Sequence, residues 1–242
     1  MNVTSLMHKA SVGTAGGLLI TSGLLLSTAV PAAASPTDRS PDCTEVKCVA
    51  LTFDDGPGQY TDELLDTLEE HNARATFYLL GSRVSSYEEE VERMAEQGHE
   101  VGNHTWKHDD LATLSAEQIQ DDLDHTDKAI SEITGRTPAT MRPPYGSLDD
   151  TARGAIDHPM VLWDVDTLDW EHRDGDRILD ITEDETRAGS VVLFHDIHKT
   201  SVDAVPDVLE QMAANDYHFV TVSYLFDHEL ESGTAYSNAR PE

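Results

Sequence analysis

Two cysteines, Cys43 and Cys48, are all that this 242-residue chain contains. They are too few for a redox apparatus and lack the CxxC spacing of one. In an oxidising compartment the pair reads as a structural disulfide pinning the chain just ahead of the first strand, with free thiols or a shared metal as the alternatives. Basic residues are scarce as well. Sixteen Lys and Arg stand against 46 Asp and Glu, a formal charge of -30, which excludes the Lys/Arg field of a nucleic-acid-binding surface. It also leaves few cations to balance the leaving oxygens of a phosphoester. Charge of this sign repels anionic polymers at low salt, and it fits a saline or an alkaline habitat equally. Three signatures are missing: the GxSxG serine elbow, the GxGxxG dinucleotide turn and the HExxH zinc helix. With no His near either cysteine in sequence, no covalent nucleophile is supported.

What is present begins with an apolar N-terminus. Residues 10–30 are almost uncharged and rich in Leu, Ala and Gly, and Ala32 and Ala34 supply the A-x-A of a cleavage site. Residues 1–34 therefore read as a secretory signal peptide, a retained membrane anchor being the alternative. The expected location is extracellular, with no stable membrane insertion after cleavage. Residues 35–45 read as an acidic linker, 46–226 as one domain and 227–242 as a polar tail. Within the domain, short apolar runs alternate with acidic amphipathic stretches such as "TDELLDTLEEH" (61–71), "SSYEEEVERMAEQG" (85–98) and "SAEQIQDDLDHTDKAISEITG" (115–135). The last opens on a Ser115 cap and stops at Gly135. Strands separated by helices of this length build a parallel sheet from βα units. Six or seven such units without a Gly-rich turn favour a barrel-like α/β closure, whose ligands meet the C-terminal ends of the strands.

The strand ends carry the chemistry. "VALTFDDGP" finishes an apolar run in Asp54 and Asp55, and neighbours in an extended segment point to opposite sides, so one can face a metal and the other a substrate. A solvated turn is the plainer reading of those two acids taken alone. His104 and His108 in "HEVGNHTWKHDD" are four apart, as on one face of a helical turn or tight loop. Two His and one Asp make a divalent-metal set with open positions for water and substrate; histidines on a polar surface are the alternative. Arg142 in "MRPPYG" is presented from a proline-stiffened segment, suited to pairing with a carboxylate, whether catalytic or structural. "VLWDVDTLDW" ends in Asp164, Asp166 and Asp169 beside Trp170, and "SVVLFHDIH" in His195, Asp196 and His198. A nearby Asp can fix the tautomer of such a His and raise its pKa. Together they suggest attack by metal-activated water, with a separate base and acid.

These segments, "TFDDGP" (52–57), "HTWKH" (104–108), "RPPYG" (142–146), "DTLDW" (166–170) and "LFHD" (193–196), resemble the five motifs of the polysaccharide deacetylases of carbohydrate esterase family 4, the NodB-homology group. The resemblance runs from about Val46 to Leu225. It implies a distorted (β/α)7 barrel, with Asp54 as catalytic base, Asp55, His104 and His108 as ligands of Zn²⁺ (Co²⁺ or a similar ion serving too), and Arg142 pairing with and tuning the base. It further implies the Tyr145 backbone N–H as oxyanion donor, His195 as catalytic acid oriented by Asp169, and Trp170 and Leu193 as walls of an acetate pocket. The expected partner is an acetylated polysaccharide or oligosaccharide, and a monomer is expected. The leading reading is N-deacetylation of an N-acetylglucosamine polymer, peptidoglycan or chitooligosaccharide. Removal of O-acetyl groups from xylan is the alternative, and a non-catalytic sugar-binding protein on the same fold is the alternative of another class.

Overall fold

A run of small and β-branched apolar residues makes Lys47–Asp54 (β1) the central strand, buried from Cys48 onward, as expected of a strand covered on both faces. The computed structural model describes residues 41–227 and 229–240; the signal peptide read at 1–34 lies outside them, as does most of the linker. Around β1 stand Thr76–Leu79 (β2), Glu100–Asn103 (β3), Met160–Val161 (β4), Val165–Asp166 (β5), Val191–His195 (β6), Tyr217–Phe219 (β7) and Ala235–Tyr236 (β8). The order is β3-β2-β1-β6-β5, all parallel, with β7 pairing the N-terminal half of β1 and β2 the C-terminal half.

From β3 the wall continues through single-residue bridges, Asn103 to Met141 and Met141 to Met160, into the β4–β8 pair. A contact between Asn238 and Ser190 leads back to β6. Met141 stays a one-residue bridge because Pro143 and Pro144 follow it and lack the N–H a ladder needs. The result is the distorted α/β barrel that the sequence implies.

Side chains of β1 alternate. Val49, Leu51 and Phe53 join the core beneath the helices Thr61–Glu70, Glu88–Glu96, Gly175–Glu185 and Lys199–Ala214. Thr52 and Asp54 face the barrel interior, where both bind Arg142. Phe53 stacks between Phe77 and Phe194, ring centroids 5.4 Å away on each side. That aromatic row pins a register in which Asp54 lies opposite Tyr78 on one side and His195 on the other; a one-residue slip would turn every one of these side chains to the other face.

The helix Ala116–Thr134 begins with the expected Ser115 cap, a full capping box with Gln118, and ends at Gly135 with φ 70°. The apolar run 160–165 forms two short strands, the break falling where the Arg142 guanidinium takes the Val161 and Leu162 carbonyls. The run 219–222 ends β7 and starts a short helix, Val222–Leu225, capped by Thr221. The segment read as a polar tail supplies β8, and Arg240 reaches Asp164 at 2.7 Å; alternation too short to show in sequence suffices once β4 offers an edge. Cys43 and Cys48 are joined as a disulfide.

Candidate active site

Strand ends meet at the C-terminal mouth of the barrel. Asp54 ends β1, His195 ends β6, Asp166 ends β5, and His104 follows β3 directly. They line a cavity of about 480 Å³ together with Asp55, His108, Tyr145, Trp163, Trp170 and Leu193.

Asp54 and Asp55 do not diverge as strand neighbours would. The strand stops at Asp54, and Asp55 takes a left-handed φ of 70°, which turns its carboxylate back toward the same imidazole. His104 Nε2 stands 3.7 Å from Asp54 Oδ2 and 3.5 Å from Asp55 Oδ1. His108 Nε2 is 3.3 Å from the same Asp55 oxygen. The two His rings sit 4.9 Å apart on a loop, not a helical turn, with Thr105 and His108 at φ 68° and 66°. Left-handed backbone at Asp55, Thr105, His108, Tyr145 and Leu168 costs of order 1–3 kcal/mol per residue, and such strain collects where a site is over-determined by its surroundings.

The donor set fits a divalent metal. His104 Nδ1 lies 2.7 Å from the Arg142 carbonyl and can only donate to it, so neutral His104 presents a lone pair at Nε2. That lone pair faces Asp55 Oδ1, which is buried and has no hydrogen-bond partner. Two acceptors at 3.5 Å call for a cation between them. The donor atoms of Asp55, His104 and His108 all lie within 4.8 Å of one another, and the edges at Asp55 match the roughly 3.3 Å edge of a tetrahedron with zinc-like bonds of about 2.0–2.1 Å. Burial raises the Asp55 pKa, but His104, His108 and His195 outweigh it and hold the carboxyl below its usual range. Burial lowers the pKa of His108, favouring its neutral, ligating form.

Asp54 is paired from behind. Arg142 is wholly buried, and its Nη1 donates to Asp54 Oδ1 at 2.8 Å and to Thr52 Oγ1 at 2.7 Å. Its Nε and Nη2 bind the Val161 and Leu162 carbonyls, and the guanidinium lies 4.3 Å over the Tyr78 ring. A buried charge is tolerable only when it is paired and its donors are used, and here every guanidinium nitrogen is bonded.

Across the cavity, Asp169 holds His195 at two points: Oδ1 is 2.8 Å from Nδ1, and Oδ2 accepts the His195 backbone N–H at 2.8 Å. Burial disfavours imidazolium, yet Asp169 dominates and raises the His195 pKa to about 9. The imidazole therefore carries a proton at neutral pH, beside a carboxylate whose own pKa is lowered by the same contact.

With this geometry in view, a family model for polysaccharide deacetylase matches residues 42–159. The chain is 41% identical over 180 residues to the peptidoglycan-N-acetylmuramic acid deacetylase PdaC of Bacillus subtilis, covering 74% of this chain and 38% of that protein. It is 39% identical over 191 residues to the peptidoglycan-N-acetylglucosamine deacetylase PgdA of Listeria monocytogenes, covering 78% and 41%. A solved structure described as "T48 deacetylase with substrate" superimposes with a TM-score of 0.80 at 44% identity, over 82% of this chain and 100% of that one. The chain belongs to the polysaccharide deacetylase family. It spans only about two fifths of the length of those two curated relatives.

Asp54, Asp55, His104, His108, Tyr145, Trp170, Leu193 and His195 share one cavity, and Arg142 and Asp169 support it from outside. The disulfide at Cys43 lies before β1, away from that mouth. Asp164 is elsewhere, binding the Val191 N–H, Ser190 and Arg240. His198 precedes the helix Lys199–Ala214 with its ring 6.0 Å from His195. Asp196 is buried, accepts a hydrogen bond from Thr61, and is pushed up to about 7 by burial. Trp163 also lines the cavity, and the one signal for it in the sequence is its place inside "VLWDVDTLDW".

Proposed function

We propose that this protein is a secreted, metal-dependent deacetylase that hydrolyses N-acetyl groups of an N-acetylglucosamine polymer, peptidoglycan or chitooligosaccharide. The observation that carries this reading is the meeting, within one 480 Å³ cavity, of an Arg-held carboxylate, a proton-bearing imidazole and a three-donor metal set. Secretion is supported by the apolar N-terminal stretch with its A-x-A and by the Cys43–Cys48 bond, a feature of oxidising compartments.

Asp55, His104 and His108 would hold the ion, most simply Zn²⁺, which when bound polarises an acetyl carbonyl and lowers the pKa of water. Asp54, fixed by Arg142, takes the proton of the attacking water. The Tyr145 N–H donates to the oxyanion that develops on the acetyl oxygen. His195, kept protonated by Asp169, gives its proton to the leaving amine. Asp54 and His195 are register partners on adjacent strands, so base and acid stand about 5 Å apart at the backbone and flank one reacting carbon. Trp170, Leu193 and Trp163 enclose the acetyl methyl and keep water off it. An ester would be cleaved by the same groups, so the glycan must be tested directly. Acetate release should be measured on chitopentaose, peptidoglycan and acetylxylan, with and without chelator. N-acetyl substrates should lead, chelation should abolish release, and Asp54→Asn should lose turnover while keeping its zinc. Release that survives thorough metal removal would sink the mechanism, and activity confined to acetylxylan would sink the substrate assignment.

A further inference from the structure

We propose that Asp127, braced by His158, is a positioning residue for the metal-ligand turn, acting on it through Asn103. The inference rests on the metal reading of Asp55, His104 and His108. Asn103 is fully buried at the end of β3, one residue before His104. Its Oδ1 accepts the Thr105 N–H at 2.8 Å, while its Nδ2 donates to Asp127 Oδ1 at 2.7 Å and to the Leu123 carbonyl at 3.0 Å. With both amide hydrogens and the oxygen engaged, only one orientation of the amide serves all three partners.

Thr105 is the stressed member of the turn. A β-branched residue at φ 68° is costly, and Thr105 Oγ1 in turn accepts the His108 N–H at 3.1 Å. The Asn103 bond to Thr105 therefore governs both imidazoles: His104 precedes the strained residue, and His108 hangs from its hydroxyl. Asp127 fixes the amide that fixes Thr105. His158 Nε2 reaches Asp127 Oδ2 at 2.9 Å, and side chains of both residues are mostly buried, 12% and 14% exposed respectively. A second carboxylate of the same helix, Asp122, accepts the Trp106 N–H at 2.8 Å. The helix Ala116–Thr134 thus grips the turn on both sides of Thr105. Without Asp127 the Asn103 amide is held only by the Leu123 carbonyl and the Thr105 N–H, its grip on Thr105 loosens, and the turn can relax away from the spacing that Asp55 requires.

The test is zinc affinity by chelator competition, with the Co²⁺ absorption spectrum as a geometric readout, on the parent chain and on Asp127→Ala, Asp127→Asn and His158→Ala. Outer partners of ligating histidines change affinity by about 10–100-fold, and Asp127→Ala should fall in that range with an altered Co²⁺ spectrum. Asp127→Asn keeps an acceptor oxygen for Asn103 and should recover most of the affinity. His158→Ala should weaken zinc by less, and it carries the test if Asp127→Ala does not fold. A purely structural role would lower the melting temperature of the metal-free protein and leave the zinc dissociation constant and spectrum at parental values; that result in the folded variants overturns the proposal. A parent chain that binds no zinc, or binds it equally after His104→Ala, would sink the metal reading and this inference with it.

Discussion

At the scale of single residues, environment and not identity separates the roles of like groups. Asp54 and Asp55 line one cavity and Asp169 stands just behind it, yet one meets a guanidinium, one meets the Nε2 atoms of two imidazoles, and one is spent on a single histidine. The His195–Asp169 pair makes the clearest prediction. As the proposed acid, His195 would work while protonated, so kcat/KM should fall as pH rises through its raised pKa, near 9. Asp169→Asn removes the charge that raises it, and the alkaline limb should move down toward the ordinary histidine value of about 6.5. A pH profile of acetate release checks this: at pH 8 the variant should lose far more of its rate, relative to the parent, than at pH 6. An unmoved limb would mean that another group sets it.

At the scale of elements, pieces with little secondary structure hold the barrel together. Met141 bridges two strands with one residue, and the guanidinium one position later ties β1 to the carbonyls after β4. The C-terminal segment closes the same wall. Ending the chain after Asp227 would remove β8, the Asn238 contact and the Arg240–Asp164 pair. It would also uncover the core around Val161 and Val191 that Leu230 and Ala239 pack against. Losing that much apolar cover costs about 3 kcal/mol, a fall of roughly 6–12 °C in Tm for a domain of this size. Thermal unfolding of the truncated chain measures it directly; an unchanged Tm would show that the segment is a mere appendage.

For the whole molecule, the dominant fact is an excess of acid. Arg93 gathers Asp62, Asp66 and Glu69, and Lys199 gathers Glu63 and Asp203. Such exposed pairs are worth about 0–1 kcal/mol each, and 16 basic residues cannot offset 46 acidic ones. Mutual repulsion should therefore outweigh pairing, and salt should stabilise the fold. Between about 0.05 and 1 M NaCl, where the screening length shrinks to roughly 3 Å, Tm should rise by several degrees. A fall in Tm over that range would show that the ion pairs, and not the repulsion, control stability.

Much of this protein is written in its order of residues. Apolar runs and capped amphipathic stretches set the parallel α/β plan, because burial on two faces and helical periodicity are local properties that the chain carries before folding. Helix Ala116–Thr134 keeps its Ser115 cap and Gly135 stop for the same reason. The polar residues gathered at the cavity were legible too, since metal donors and rigid Arg-Pro-Pro segments are chemically distinctive, whereas Tyr145 and Leu193 came only with the family resemblance and Trp163 not at all. Tertiary structure alone decided the rest. A left-handed turn brings Asp55 onto the imidazole that Asp54 also faces. The strand edge of β4 turns a polar C-terminus into β8. Asp127 and His158, ordinary in sequence, reach the turn that carries His104 and His108 only because a helix and a loop remote along the chain pack beside Asn103. Such convergence depends on register and packing, which no local pattern encodes.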